Sequence, residues 1–213
     1  MTAVSAVIFD CDGVLVDSET IAVRMWVEMA GELGLELPWS RAMRQFKGGV
    51  MATNVAWLES QLGRHVPNDF VETFRARLGI RFEEELEPIV GVRAVLDGLE
   101  VPYCVASNGP REKMDVTLSV TGLMPYFESR IVSAYEVGSF KPDPGLFLRA
   151  AELLEVAPER CAVVEDSLTG IRAGVAAGMR VFAYSEAEEF EAHRAAGAVP
   201  FAEMGQLSSL LFR

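Results

Sequence analysis

The chain has 213 residues, half of them apolar, and no low-complexity tract. That is enough to bury a sizeable core in one large domain, or in one domain plus a smaller insert, and it argues against disorder. Thirty-one acidic side chains against nineteen basic ones give a formal net charge of −12. This speaks against a nucleic-acid or anionic-membrane surface, and any site for an anionic substrate must be locally basic or hold a metal. No apolar run is long enough for a membrane span, and the N-terminus lacks a basic region followed by a long apolar segment. Cys11, Cys104 and Cys161 each lie in or beside an apolar strand-like run, so the expectation is buried reduced thiols and a cytoplasmic protein.

The first element is an apolar, β-branched run from Val4 to Phe9 that stops at Asp10-Cys11-Asp12-Gly13. Asp17 or Ser18 can cap a helix in which Ile21, Met25, Trp26, Met29 and Leu33 recur at helical spacing until Gly34. Pro38-Trp39-Ser40 opens a second helix, and further helices are predicted over about 52–62 and 69–85. Beyond Gly91 the pattern changes to alternating strands and helices. Strands are predicted at 102–107, 130–133, 161–166 and 180–184, with a weak one near 199–201. Helices are predicted from near Gly91, at 111–120, 144–154 and 168–177, and over 187–196 and 203–212. This alternation predicts an α/β fold: a Rossmann-like parallel sheet with helices on both faces. Residues 1–17 plus 88–213 are expected to form this Rossmann-like core, and 18–87 an inserted α-helical cap domain.

Two carboxylates one residue apart at the end of a buried strand repel one another and are costly to desolvate; a divalent cation offsets both effects. Magnesium suits the arrangement, as a hard ion that binds through one or two carboxylates plus a substrate phosphate. Asp10-x-Asp12-Gly13 on its own reads equally well as a strand ending in a turn. Three more polar clusters follow apolar runs: Ser107-Asn108, Lys141, and Glu165-Asp166. In doubly wound folds, ligands bind at the carboxyl ends of the strands, so all four clusters can meet in one crevice. Hydroxyl, amide and ammonium donors beside carboxylates suit phosphoryl transfer, where positioning and charge neutralisation dominate. Individually, Ser107-Asn108-Gly109-Pro110 reads as a turn, Lys141 as a solvated loop residue, and Glu165-Asp166-Ser167 as a helix cap. His65 and His193 have no evident partners and are expected at the surface.

Asp10-Cys11-Asp12-Gly13-Val14, Ser107-Asn108, Lys141-Pro142-Asp143-Pro144 and Glu165-Asp166-Ser167 resemble, in order and over nearly the whole chain, the motifs of the haloacid dehalogenase-like hydrolases. The helical insert resembles the helical-cap subclass, which includes β-phosphoglucomutase and many sugar phosphatases. The resemblance implies that Asp10 attacks phosphorus and forms an aspartyl-phosphate, while Asp12 protonates the leaving oxygen and then activates water. It implies that magnesium is held by Asp10 and Asp166 through carboxylates and by Asp12 through its carbonyl, with Glu165 in the metal's surroundings. Ser107, Asn108 and Lys141 would hold the phosphoryl group. Dehalogenases lack the second aspartate that Asp12 supplies.

In the cap, Arg41, Arg44 and Lys47 are three apart and read either as a solvated basic face or as substrate contacts. Lys47-Gly48-Gly49 falls where the family's caps carry a substrate-facing loop. Lys47 and Arg44 are therefore the expected cap contacts, brought over the site when the cap closes. The turn at 105–110 and the loop at 46–48 are similar to those of 6-phosphogluconate phosphatases, which implies a phosphorylated sugar or sugar acid as substrate. Two rivals remain. A phospho-accepting receiver domain is shorter, carries its acceptor on a later strand, and has no helical insert. A β-phosphoglucomutase-like mutase grips a distal phosphate with a cap histidine and a cap arginine, where this chain has Ala22 and Met51.

Overall fold

The computed structural model describes residues 3–212 of the chain, which divides into two compact units: Met1–Val16 with Glu87–Arg213, and Asp17–Leu86. The elements run β1 (Ala6–Phe9), then α1 (Ser18–Glu32), α2 (Trp39–Phe46), α3 (Met51–Leu62) and α4 (Phe70–Glu85). Next come α5 (Val92–Gly98), β2 (Tyr103–Ser107), α6 (Arg111–Val120), α7 (Met124–Phe127), β3 (Ile131–Ser133), α8 (Ala134–Val137) and α9 (Gly145–Leu153). The chain ends with β4 (Cys161–Glu165), α10 (Leu168–Ala176), β5 (Arg180–Tyr184), α11 (Phe190–Ala195), β6 (Val199–Phe201) and α12 (Leu207–Leu211).

The first unit is a six-stranded parallel sheet in the order β3-β2-β1-β4-β5-β6. All four residues of β1 are buried, as expected of a central parallel strand covered on both faces. Ile8 of β1 stands opposite Cys104 of β2 on one side and Val163 of β4 on the other. The chain winds from β1 out to β3 in one direction and from β4 out to β6 in the other. The order therefore reverses between β1 and β4, where such sheets form a crevice at their carboxyl ends. One face buries Ala6, Ile8, Ala106 and Val163 against Leu146, Phe147 and Ala150 of α9 and Ile171 of α10. On the other face the Phe9 ring meets Phe127 and Tyr103 edge-on at 6.5 and 6.3 Å. Glycine brings α10 close to the sheet, since a Cβ on Gly174 would lie 2.7 Å from Val181 Cγ2.

The second unit is a helical core built around Trp26. Its indole stacks on Phe46 at 4.8 Å and meets Phe74 and Phe70 at 4.5 and 5.8 Å, with Leu58 buried in the same cluster. Asp17 occupies the N-cap position of α1 but makes no side-chain capping bond. The loop after α2 is held at two points: Gly48 N–H donates to Glu19 at 2.7 Å, and a Cβ on Gly49 would fall 2.6 Å from the buried Asn54 amide.

Of the two histidines, one lies at the surface as expected and one does not. His65 is exposed but accompanies Glu59 at 3.1 Å. His193 is not at the surface: it is buried in α11 with Nδ1 2.9 Å from Ser185 Oγ, because the turn after β5 supplies a partner invisible in the local sequence. The three cysteines are free and buried.

Candidate active site

The site is built at the reversal point. The ladder between β1 and β4 extends one residue beyond the strand, with Asp10 N–H donating to Val164 O at 2.9 Å, so Asp10 emerges at a fixed place between two central strands. The chain then folds back tightly. Leu15 and Val16 N–H both reach Cys11 O, Gly13 N–H reaches Val16 O, and Gly13 takes φ +77°. That dihedral favours glycine, and a side chain there would also collide with the Asp166 carboxylate. The same close approach brings the acid that follows β4 beside the turn that carries Asp10 and Asp12.

Each of the two acids on this turn has an ammonium. Lys141 is 7% exposed; its Nζ bonds Asp10 Oδ1 and lies 2.8 Å from Glu165 Oε1. Lys113, in the first turn of α6, places Nζ 2.8 Å from both oxygens of Asp12. Burial pushes the Asp10 carboxyl up; Lys141 opposes this, Glu165 and Asp12 add to it, and the group stands at about 7. Burial alone would pull the Lys141 ammonium down, yet the carboxylates of Asp10 and Glu165 hold it well above the ordinary lysine range. The Cys11 thiol is pushed far up by burial and by the neighbouring Asp12 and Asp10 charges, so it stays protonated.

Supporting bonds fix these groups. The second oxygen of Glu165 accepts from Asp166 N–H at 2.9 Å, Ser167 N–H at 2.7 Å and Ser167 Oγ at 2.9 Å. Ser167 also caps α10, accepting from Gly170 N–H at 3.1 Å. The Asn108 side chain clasps the Lys141 backbone, accepting its N–H at 2.9 Å and donating to its carbonyl at 3.4 Å. Ser107 Oγ accepts Gly109 N–H at 3.1 Å, and Ser133 Oγ braces the same turn through Gly109 O at 2.8 Å. Among the described residues, no buried side-chain nitrogen or oxygen lacks a partner.

Asp10, Asp12, Ser107, Asn108, Lys141, Glu165 and Asp166 thus all belong to the sheet unit, at or just beyond the carboxyl ends of β1, β2 and β4 and in the loop before α9. Lys47 and Arg44 belong to the helical unit. Arg44 is exposed on α2, and Lys47 is that helix's C-cap. The neighbouring Arg41 donates to Gln61 at 2.7 Å, its guanidinium 5.3 Å from the Trp57 ring centre. Sequence reasoning missed Lys113. A usable signal was present, because a lysine in the first turn of a helix opposes the helix dipole and needs a local anion to explain it.

Residues 4–178 match the haloacid dehalogenase-like hydrolase family. A 6-phosphogluconate phosphatase of Escherichia coli is 37% identical over 183 residues, covering 85% of this chain and 83% of that protein. A conserved haloacid dehalogenase-like protein of Agrobacterium tumefaciens superposes with a TM-score of 0.89 at 32% identity, over 98% of both chains. A family hydrolase of Deinococcus radiodurans, solved with bound phosphate and sodium, superposes with a TM-score of 0.86 at 31% identity, over 99% of this chain and 96% of that one.

Proposed function

The chain belongs to the haloacid dehalogenase-like hydrolases, and on that premise we propose that it is a magnesium-dependent phosphatase acting on a sugar phosphate or sugar-acid phosphate through an aspartyl-phosphate on Asp10. The observation that carries this reading is the pairing of Asp10 and Asp12 with separate ammonium groups at the switch point, with Asp166 packed against the same turn.

The donors fit magnesium. Two strand-end carboxylates, Asp10 and Asp166, flank one tight turn, and this ion is commonly bound by one or two carboxylates together with water and substrate phosphate. Asp10 and Asp166 would hold it through carboxylates and Asp12 through its backbone carbonyl. When bound, it neutralises charge on the phosphoryl oxygens. Both Glu165 oxygens are engaged by Lys141 and by the start of α10, so Glu165 is assigned to holding Lys141 beside the metal rather than to direct ligation.

The residues then divide the work. An Asp10 oxygen bonds phosphorus as the bond from phosphorus to the organic oxygen breaks, and Asp12 gives that oxygen a proton. Asp12 next takes a proton from the water that cleaves the acyl phosphate, which frees Asp10 and releases phosphate. Lys141 offsets the charge of the incoming phosphoryl group. Ser107 Oγ accepts from Gly109 and keeps its own proton for a phosphoryl oxygen. Asn108 serves the same group by fixing the Lys141 backbone. Lys47 and Arg44 are assigned to reading the organic part of the substrate, and the helical unit to the role of a cap.

The deciding experiment is a phosphate-release screen over phosphorylated metabolites with magnesium. Sugar phosphates and sugar-acid phosphates should turn over, excess chelator should abolish the activity, and calcium should inhibit it. Absence of phosphate release from every monoester, or full activity in excess chelator, overturns the reading. With β-glucose 1-phosphate and a trace of glucose 1,6-bisphosphate, free phosphate should outpace glucose 6-phosphate, since neither Ala22 nor Met51 can grip a second phosphate. The reverse would make the enzyme a mutase.

A further inference from the structure

We propose that Lys113 is the positioning residue of Asp12: its ammonium fixes the plane of the carboxyl group that protonates the leaving oxygen. The inference rests on the phosphatase reading above and adds to it a residue that the family motifs do not contain.

The observation is a two-point contact. Nζ of Lys113 lies 2.8 Å from each Asp12 oxygen, so the carboxyl group can neither rotate nor swing without breaking one of two charge-assisted bonds. Lys113 is itself well anchored. It sits on α6, whose first turn begins at the braced Ser107–Pro110 turn and whose buried Thr117 Oγ1 lies 3.8 Å from Cys11 Sγ, the residue between the two acids. The lysine's base is therefore tied to the same loop that its head group holds.

The two ammonium groups of the site differ in what holds them. Lys141 is wedged between two carboxylates, with its side chain 4% exposed, and is fixed. The Lys113 side chain is 35% exposed and that of Asp12 19%, so this pair stands at the rim, where substrate arrives. When an alkyl phosphate is bound, one Asp12 oxygen turns to the leaving oxygen while the other stays on Lys113. Asp12 enters this step as the carboxylic acid, with its proton on the oxygen released from Lys113: the bond from Asp10 oxygen to phosphorus forms, the bond from phosphorus to the leaving oxygen breaks, and that proton moves to the oxygen that departs, leaving the Asp12 carboxylate paired with Lys113.

The experiment separates positioning from folding by leaving-group chemistry. The ratio kcat/KM reports events only through departure of the alcohol, so the later attack of water does not enter it. A sugar phosphate needs its alkoxide protonated, whereas p-nitrophenyl phosphate loses a stable phenolate unaided. Lys113→Met should lower kcat/KM for the sugar phosphate at least tenfold and for p-nitrophenyl phosphate less than threefold. General acid help is commonly worth about 10²–10⁴-fold, so a loss of this size is within its range. Lys113→Arg, which keeps a donor fork for a carboxylate, should recover most of the sugar-phosphate activity. Equal losses on both substrates, or no loss on either, overturn the assignment. If the wild-type protein hydrolyses neither substrate, the phosphatase reading itself is what has failed.

Discussion

Asp10 is the most exposed point of the proposed chemistry to a single change. Asp10→Asn should abolish turnover with the fold retained, because an amide is a poor nucleophile; wild-type turnover in this variant would refute covalent catalysis. The same residue makes the metal-free protein sensitive to pH. Its carboxyl stands at about 7 against an ordinary 3.8, so between these values the folded chain holds a proton that the unfolded chain has released. The stability this lends is present on the acid side and lost as pH rises through about 7. In chelator, the Tm of Asp10→Asn minus that of the wild type should therefore grow from pH 5 to pH 8, by about 2–4 °C for each kcal/mol involved. A constant difference would show that burial of Asp10 costs nothing. Such candidates could be picked out in the sequence because their order along the chain resembles a known set of motifs. Lys113 could not, since its partner Asp12 is 101 positions away. Nor could the clasp of Asn108 on Lys141, because an amide after a strand gives no sign of whether it faces a ligand or a neighbouring loop.

Among the elements, α10 and α4 show opposite uses of glycine. Gly174 lets α10 lie against β4 and β5, where an added Cβ would meet Val181 at 2.7 Å and Val163 at 3.4 Å. Gly174→Ala should cost about 1–3 kcal/mol, read as a lower urea midpoint at unchanged slope. In the interior of α4, a Cβ on Gly79 meets nothing within 4 Å, so Gly79→Ala should stabilise by about 0.4–1 kcal/mol through helix propensity and the unfolded chain. A Gly174→Ala variant as stable as the wild type, or more so, would show that the packing of α10 has been misjudged. Long periodic elements were readable to within a residue or two: α6 spans the predicted 111–120, and β5 the predicted 180–184. The four-residue helices α7 and α8 were not read, because one turn carries no period. Of the two, α8 forms where Ser133 accepts the Tyr135 N–H, a bond that depends on where β3 ends.

For the whole molecule, a net charge of −12 opposes an anionic substrate at long range, while the ammonium groups of the site act at contact distance. The screening length falls from about 30 Å at 0.01 M salt to about 8 Å at 0.15 M, and buried pairs are screened much less than distant surface charge. At fixed magnesium, KM for a sugar phosphate should therefore fall as salt rises over this range, and a rise would mean that the local charges dominate approach. The architecture was legible because the alternation of strands and helices survives the long helical insertion. The strand order was not, since residue pattern does not say on which side of β1 a later strand will pair. That order has a consequence in time. The first strand made is the one that carries Asp10, but its neighbours are β2, which begins at Tyr103, and β4, which begins at Cys161. During synthesis β1 must wait, unpaired on both sides, for segments about a hundred and about a hundred and fifty residues downstream, and Glu165 and Asp166 arrive only with the second of them. Nascent chains that end before β4 therefore lack two of the four proposed acids, so on the proposed mechanism hydrolytic capacity switches on only as the last quarter of the chain emerges.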